Sequence, residues 1–450
     1  MRTNTVRFST YLVLLGLLAA CSRGPAQEAG GGSSESGVPG PSAAATEAGS
    51  EAASEEAVEA TGQGDGVLTV GSVLPETGSL ASLGPPMFAG GALAVEEVNE
   101  AGGVLDGDVE LLEGDSGDTT TDIANQTVDQ HMANGADVIV GAASSGVSMT
   151  FIDKVTGAGL VHFSPANTSP DFTEYPDNDL YFRTAPSDLL QGRILGELIL
   201  DDGAATVGLM ALQDPYGEGL LNSVSQTVQE SGGEVTDEII YDPQAQNFDA
   251  EVQQLVDSDP DAIVVIGFAE SARIFTTLVE QGLGPDQKAL YCVDGNVDSA
   301  ELAEISDQIV GTRCTLPGAN AEGDFRERLI EAAGGSLDSF SYGAETYDAI
   351  ITTALAATIA ESDTGTDIGA ELPGVTREGT KCTTFQECAD LIEQGEDIDY
   401  DGASGPIELD DIGDPQVANF QIREYTGDEQ TELVEMREAS MPGGGEAASE

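Results

Sequence analysis

The chain is poor in lysine. Only Lys154, Lys288 and Lys381 occur, and with arginine the basic residues number 15 against 81 acidic ones in 450 residues. A formal charge of −66 excludes nucleic acid as a partner, because two polyanions repel. It equally disfavours docking on an acidic lipid surface. Tryptophan is absent and aromatics reach only 5%. The two histidines, His131 and His162, are far apart and lack ligand-like spacing, so no zinc site is expected. They also leave a Ser-His-Asp triad unsupported. Beyond the first twenty residues no apolar run approaches the roughly 18 residues of a membrane-spanning helix. What remains is a chain with 40% apolar residues, low but sufficient for a core at this length. Length alone points to about two to three domains.

Such acidity strains a compact state by self-repulsion at low ionic strength. At about 1 M salt the Debye length falls to roughly 3 Å and the repulsion largely vanishes. The composition therefore predicts a protein that works in concentrated salt.

Residues 1–20 place Arg2 and Arg7 ahead of a short apolar segment, Tyr11 to Leu18, and Leu18-Ala19-Ala20-Cys21 follows. This order resembles the lipobox of bacterial lipoproteins. The resemblance implies a signal peptide over 1–20, lipidation at Cys21 and a membrane contact through that anchor. Residues 22–66 are almost entirely Gly, Ser, Ala, Glu and Pro and read as a flexible tether. Residues 438–450 read as a frayed tail. Setting Cys21 aside leaves four cysteines, an even number suited to an oxidising compartment. Nearest-neighbour pairing gives Cys292–Cys314 and Cys382–Cys388, although four cysteines allow three connectivities.

From Val67 short apolar strands alternate with amphipathic helices. Strands are expected at 68–74, 109–112, 137–140, 160–163, 206–210, 238–241, 262–266, 289–293 and 311–316. Helices are expected at 86–99, 121–134, 149–156, 219–231, 249–258 and 272–281, and after Pro317 at 321–333, 342–359 and 385–393. This alternation predicts an α/β fold of two doubly wound parallel-sheet lobes. The expected division is 67–184 plus 318–403 for one lobe and 185–317 plus 404–437 for the other.

In open parallel sheets, ligands lie beyond the carboxyl ends of the strands. Four such ends here carry small polar groups: Gly141–Gly146, Ser164–Ser169, Gly267–Glu270 and Asp294-Gly295. The first two offer hydroxyls and backbone N–H groups at helix starts, which favour a carboxylate. Asp294 offers an acceptor for an ammonium. A buried Asp294 would need a cation, and basic side chains are scarce. Together these features suit a small zwitterion held in a cleft.

Six segments in order carry a resemblance: Pro75–Gly78, Ala94–Gly103, Ser164–Pro170, Phe182–Pro186, Asp214–Gly219 and Tyr400–Ile407. With them, about Val67 to about Met436 resembles the branched-chain amino-acid-type substrate-binding proteins of ABC importers. The resemblance implies a clamshell of two lobes joined by three hinge crossings, near Arg183–Pro186, Leu316–Ala319 and Tyr400–Ile412. It implies a monomer that hands an amino-acid-like solute to a membrane permease, without cofactor or catalysis. It also implies roles for individual residues. Ser145 would receive the carboxylate, Thr168 would contact carboxylate and amine, and Ala166 would help hold the amine through its backbone. Asp294 would pair with the ammonium, and Tyr216 would be a cleft aromatic. Phe268 stands where the family tends to have tyrosine, and Leu83 stands for a first-lobe aromatic, so the side-chain pocket is expected to differ.

Asp397–Glu408 also fits the EF-hand spacing, which would make Asp397, Asp399, Asp401 and Glu408 calcium ligands. Gly405-Pro406 disturbs its second half and no helix pair flanks it. The hinge reading is therefore preferred and no metal is expected. Gly141–Gly146 lacks the lysine of a phosphate-binding loop. Tyr342–Ala349 is expected as a packed helix of the first lobe.

Overall fold

The computed structural model describes residues 64–427 and 430–441. The expected signal peptide, Cys21, the tether to residue 63 and residues 442–450 lie outside the described residues.

Strand β1 (Thr69–Leu74) is buried along its whole length, as an uninterrupted TVGSVL run requires in a sheet covered on both faces. Around it lie β2 (Glu110–Asp115), β3 (Val138–Gly141), β4 (Val161–Ser164) and β5 (Tyr181–Arg183). Their order is β2-β1-β3-β4-β5, all parallel. Helices Gly84–Glu100 and Gly343–Ala360 pack together on this sheet. This is the first lobe.

The second lobe is built on seven strands. They are β6 (Thr206–Leu212), β7 (Glu234–Tyr241), β8 (Ala262–Ile266), β9 (Ala289–Cys292), β10 (Arg313–Pro317), and two more that follow a small accessory sheet. That accessory sheet holds β11 (Thr380–Cys382), β12 (Ile398–Gly402) and β13 (Gly405–Pro406). The last two strands are β14 (Val417–Gly427) and β15 (Gln430–Ser440). The order in the large sheet is β15-β14-β10-β9-β8-β6-β7. β6 to β10 pair in parallel, but β14 is antiparallel to both β10 and β15. The sheet is therefore mixed. Only two residues separate β14 from β15, too few for the crossover that parallel neighbours need.

The chain passes between the lobes three times: from β5 into helix Asp188–Asp201, from β10 into helix Gly323–Ala332, and from β12–β13 into β14. Among the described residues, two helices of more than ten residues escape the sequence periodicity, Asp188–Asp201 and Gly365–Val375. The first is interrupted by Gly192 and Gly196, where an added Cβ would lie 2.3 Å from Ser223 Oγ and 2.7 Å from Thr227 Cγ2. Its glycines thus permit a close helix–helix approach that an apolar stripe does not advertise. β15 runs on through Ser440 because Ala439 is buried opposite Ala418, so strand replaces the start of the expected tail.

Cys292 is bonded to Cys314, joining neighbouring residues of β9 and β10, and Cys382 is bonded to Cys388. Asp397–Glu408 is strand and turn. Lys381 Nζ lies 2.9 Å from Asp399 Oδ2, 2.9 Å from Asp401 Oδ1 and 3.4 Å from Glu408 Oε1. An ammonium carried by the chain stands among three of the four carboxylates of the calcium reading. Among the described residues no group of three or more His, Cys, Asp or Glu is arranged to hold a metal. No helix among them is long and apolar enough to cross a membrane.

Candidate functional site

The carboxyl ends of β3, β4, β8 and β9 face one another across the gap between the lobes. Eleven residues line a small cavity there of about 10 Å³, which their side chains nearly fill in this closed arrangement. From the first lobe come Leu80, Leu83, Ala143, Ser144, Ser145, Ala166 and Tyr342; from the second, Tyr216, Phe268, Asp294 and Gly295. Six of the seven residues expected from the sequence therefore meet in one place. Thr168 does not line the cavity. It stands behind it, its carbonyl accepting from the Asp188 N–H at 2.7 Å.

The first-lobe wall is held rigidly. Ser164 Oγ donates to the Ala142 carbonyl (2.8 Å) and accepts from Asn167 N–H (2.9 Å). Asn167 Nδ2 donates to the carbonyls of Ala142 and Ala143, both at 3.0 Å. The two polar loops are thereby pinned to each other. Ser144 caps the helix that Ser145 begins, but that helix ends at Ser148. The other loop enters only a single 3₁₀ turn, Pro170–Phe172. The helix-dipole contribution expected at both loops is therefore small, since a macrodipole needs aligned peptides. Local hydroxyls and N–H groups are what these loops offer.

Asp294 opens the short helix Asp294–Val297 after β9. Its Oδ1 accepts from Gln191 Nε2 at 2.7 Å and from the Tyr216 hydroxyl at 2.8 Å. Its Oδ2 accepts from the Tyr342 hydroxyl at 2.7 Å. Burial pushes its pKa up, and the donors Tyr342, Gln191 and Tyr216 oppose the rise. Tyr216 stacks on Phe268, with ring centroids 5.6 Å apart and planes 6° from parallel. A Cβ on Gly295 would lie 3.0 Å from the Tyr216 hydroxyl and 2.8 Å from the Gly267 carbonyl, so only glycine lets this stack sit so low.

A second carboxyl lies deeper. Asp188 is fully buried and neither oxygen makes a hydrogen bond of full geometry. Burial holds its pKa well above the usual range, nearby Asp294 adds to this, and the Thr168 hydroxyl and Arg183 oppose it.

The lobes are closed over the cavity. Ser169 Oγ donates to the Pro215 carbonyl across the gap at 3.0 Å. A Cβ on Gly146 would meet Asp214 Oδ2 at 2.2 Å, so this glycine allows the two loops to touch. The apolar side chains Leu80, Leu83, Ala143, Ala166 and Tyr342 join the second lobe's core.

Four residues of the site, Leu80, Asp188, Gln191 and Tyr342, were not expected from the sequence. Gln191 lies on the helix that periodicity missed. Tyr342, expected only as helix packing, precedes helix Gly343–Ala360 at φ 61°. A bulky residue held left-handed is strained and marks a position chosen for another reason. Here that conformation accompanies the reach of its hydroxyl across the cleft to Asp294.

Two α/β lobes, three crossings and a closed polar-and-apolar cavity between them define a two-lobed solute-binding protein. The family profile described as "Periplasmic binding protein" matches residues 67–408. The chain belongs to that family, whose members work outside the cytoplasm as binding proteins and not as enzymes. The Leu/Ile/Val-binding protein homolog 1 of Brucella suis is 28% identical over 304 residues, spanning 65% of this chain and 79% of its own length. The chemotactic signal transduction system substrate-binding protein BasB of Halobacterium salinarum is 25% identical over 384 residues, spanning 82% of this chain and 89% of its own. The crystal structure of a leucine-binding protein LivK from Thermotoga maritima superposes with a TM-score of 0.68 at 21% identity, covering 82% of this chain and 98% of the other. At that identity the likeness speaks for the fold alone.

Proposed function

We propose that the protein captures a small amino-acid-like solute in the interlobe cavity and delivers it to an ABC permease while tethered to the outer face of the membrane through Cys21. The observation that carries the reading is Asp294. A buried carboxyl held by three neutral donors keeps a preorganised negative pole in the cleft wall, opposite the hydroxyl-bearing loops at Ser144–Ser145 and Ala166. An ammonium at this pole favours the ionised form that burial alone would suppress. The solute's carboxylate then falls to Ser145 and its neighbours. Leu80, Leu83 and Phe268 supply the apolar part of the lining, which favours an aliphatic side chain once the lobes part to admit one. Thr168 acts from behind the cavity, through the loop it belongs to.

The test is thermal shift of the protein in concentrated salt against amino acids, amides, urea and small carboxylates, since a bound solute raises the melting temperature by mass action. An aliphatic amino acid should give the largest shift, and Asp294→Ala should remove it. A shift by carboxylates or amides lacking an amine, unaffected by Asp294→Ala, would reject the ammonium role.

The likeness to BasB over most of both chains supports a second reading, in which the same capture reports to a signalling partner. Permease and ATPase genes beside this one favour import; a transducer gene favours sensing.

A further inference from the structure

The cleft contains a further carboxylate, besides Asp294 and Asp188, that faces the other lobe and lies outside the lining of the solute cavity. Asp298 follows the helix Asp294–Val297 directly, on the second lobe. One of its oxygens, Oδ2, accepts from the Ser339 hydroxyl at 2.7 Å and from the Ser341 hydroxyl, both on the first lobe. The next residue of that segment is Tyr342, which donates to Asp294. One four-residue stretch of the first lobe therefore grips both ends of one helical turn of the second.

Both halves of this contact are stiff. On the second lobe, Asn296 Nδ2 donates to the Val265 carbonyl (3.0 Å) and its Oδ1 accepts from Val293 N–H (2.9 Å). The Tyr425 hydroxyl donates to the Val297 carbonyl at 2.6 Å. On the first lobe, Ser341 N–H donates to Ser339 Oγ at 3.1 Å, and Phe340 lies under Arg326, whose guanidinium carbon is 3.6 Å from the ring centroid. Ser339 and Ser341 direct their hydroxyls to the opposite lobe. Asp298 and Ser339 stay partly exposed at the rim, but the two bonds span the lobes and exist only while the lobes are together.

We propose that Asp298 with Ser339 and Ser341 is a latch that holds the clamshell shut and sets how long a captured solute stays. The proposal rests on the reading of the cleft as a solute trap. Asp298 is a positioning residue: it acts through the segment that carries Tyr342. A contact formed on closure lengthens residence more than it speeds capture.

The test uses the full chain in 2 M NaCl, with Asp298→Ala, Ser341→Ala and the double variant, and L-leucine as the probe. Asp298→Ala should speed leucine dissociation about tenfold, because the two bonds it loses are partly exposed to water and each is worth less than a buried one. The double variant should be no faster than Asp298→Ala alone, because both remove the same bond. Small-angle scattering without added amino acid should give Asp298→Ala a larger radius of gyration than wild type. Equal dissociation rates overturn the latch, as do additive effects of the two substitutions. If leucine does not bind wild type, the solute reading fails on its own. The scattering comparison then decides the latch, and equal radii overturn it.

Discussion

Arg183 and Asp414 form a buried bidentate ion pair, Nε to Oδ1 at 2.6 Å and Nη2 to Oδ2 at 2.7 Å, which ties the end of β5 to the third crossing. Arg183 Nη1 also donates to the Ser169 carbonyl at 2.8 Å, so the same guanidinium braces the loop that forms one cavity wall. Burial disfavours its charge, and Asp414 more than restores it. Removing one partner leaves the other charged in a dry site. Asp414→Ala should therefore cost about 3–5 kcal/mol, read by denaturant unfolding at fixed salt. A cost below about 1 kcal/mol would mean that water reaches Arg183.

Tyr342→Phe removes one donor to Asp294 and keeps the ring. Binding of an amino-acid probe should weaken about tenfold, one hydrogen bond to a charged acceptor. Burial already raises the Asp294 pKa, and losing a donor raises it further. Ammonium binding needs the ionised form, so binding is lost as pH falls through that pKa. In the variant the loss should begin at higher pH than in wild type. Calorimetric titrations between pH 4 and 8 would decide it, and superimposable profiles would reject the role.

Glu345 is a buried carboxyl beside the first two crossings. Thr184 Oγ1 donates to its backbone carbonyl at 2.9 Å, and a Cβ on Gly318 would lie 1.9 Å from its Oε1. Burial pushes its pKa up to about 8. Below the unfolded-state value both states are protonated. As pH rises toward 8 the unfolded chain ionises first, and the folded state loses relative stability. Glu345→Gln should be neutral near pH 4 and stabilising by about 1–3 kcal/mol at pH 8. Melting curves across that window provide the check, and a pH-independent difference would rule the mechanism out.

The net charge of −66 makes ionic strength a stability variable. Self-repulsion is screened as the Debye length shrinks. The melting temperature should therefore rise between 0.1 and 2 M NaCl, and a fall would sink the reading of a salt-adapted chain.

Periodicity exposed the lobes because buried parallel strands are near-continuous apolar runs, and β1, β3, β6 and β8 are of that kind. The rule that sites lie beyond strand ends makes Asp294 and the two serine loops legible in the sequence. Gln191 was hidden with its helix, whose glycines blur the stripe. Tyr342 was hidden for a different reason. Its residue type suits helix packing, and nothing local records that its backbone turns left-handed to aim the hydroxyl across a gap. Thr168 shows the converse: a motif locates a residue near a cavity without telling which atoms face it. The β14–β15 hairpin was missed because its outer strand is rich in glutamate and leaves Leu433, Val434 and Met436 exposed, so it lacks the clean alternation of a half-buried strand.

Lys381 gives the carboxylates of β12 and of Glu408, just after β13, a counter-ion that cannot diffuse away. A loop held by a dissolved cation loosens when that cation is chelated or diluted. This one carries its cation on a covalent stem, at a concentration set by the fold. Diluting the medium therefore leaves the number of positive charges beside the neighbouring crossing unchanged, although added salt screens this half-exposed ammonium.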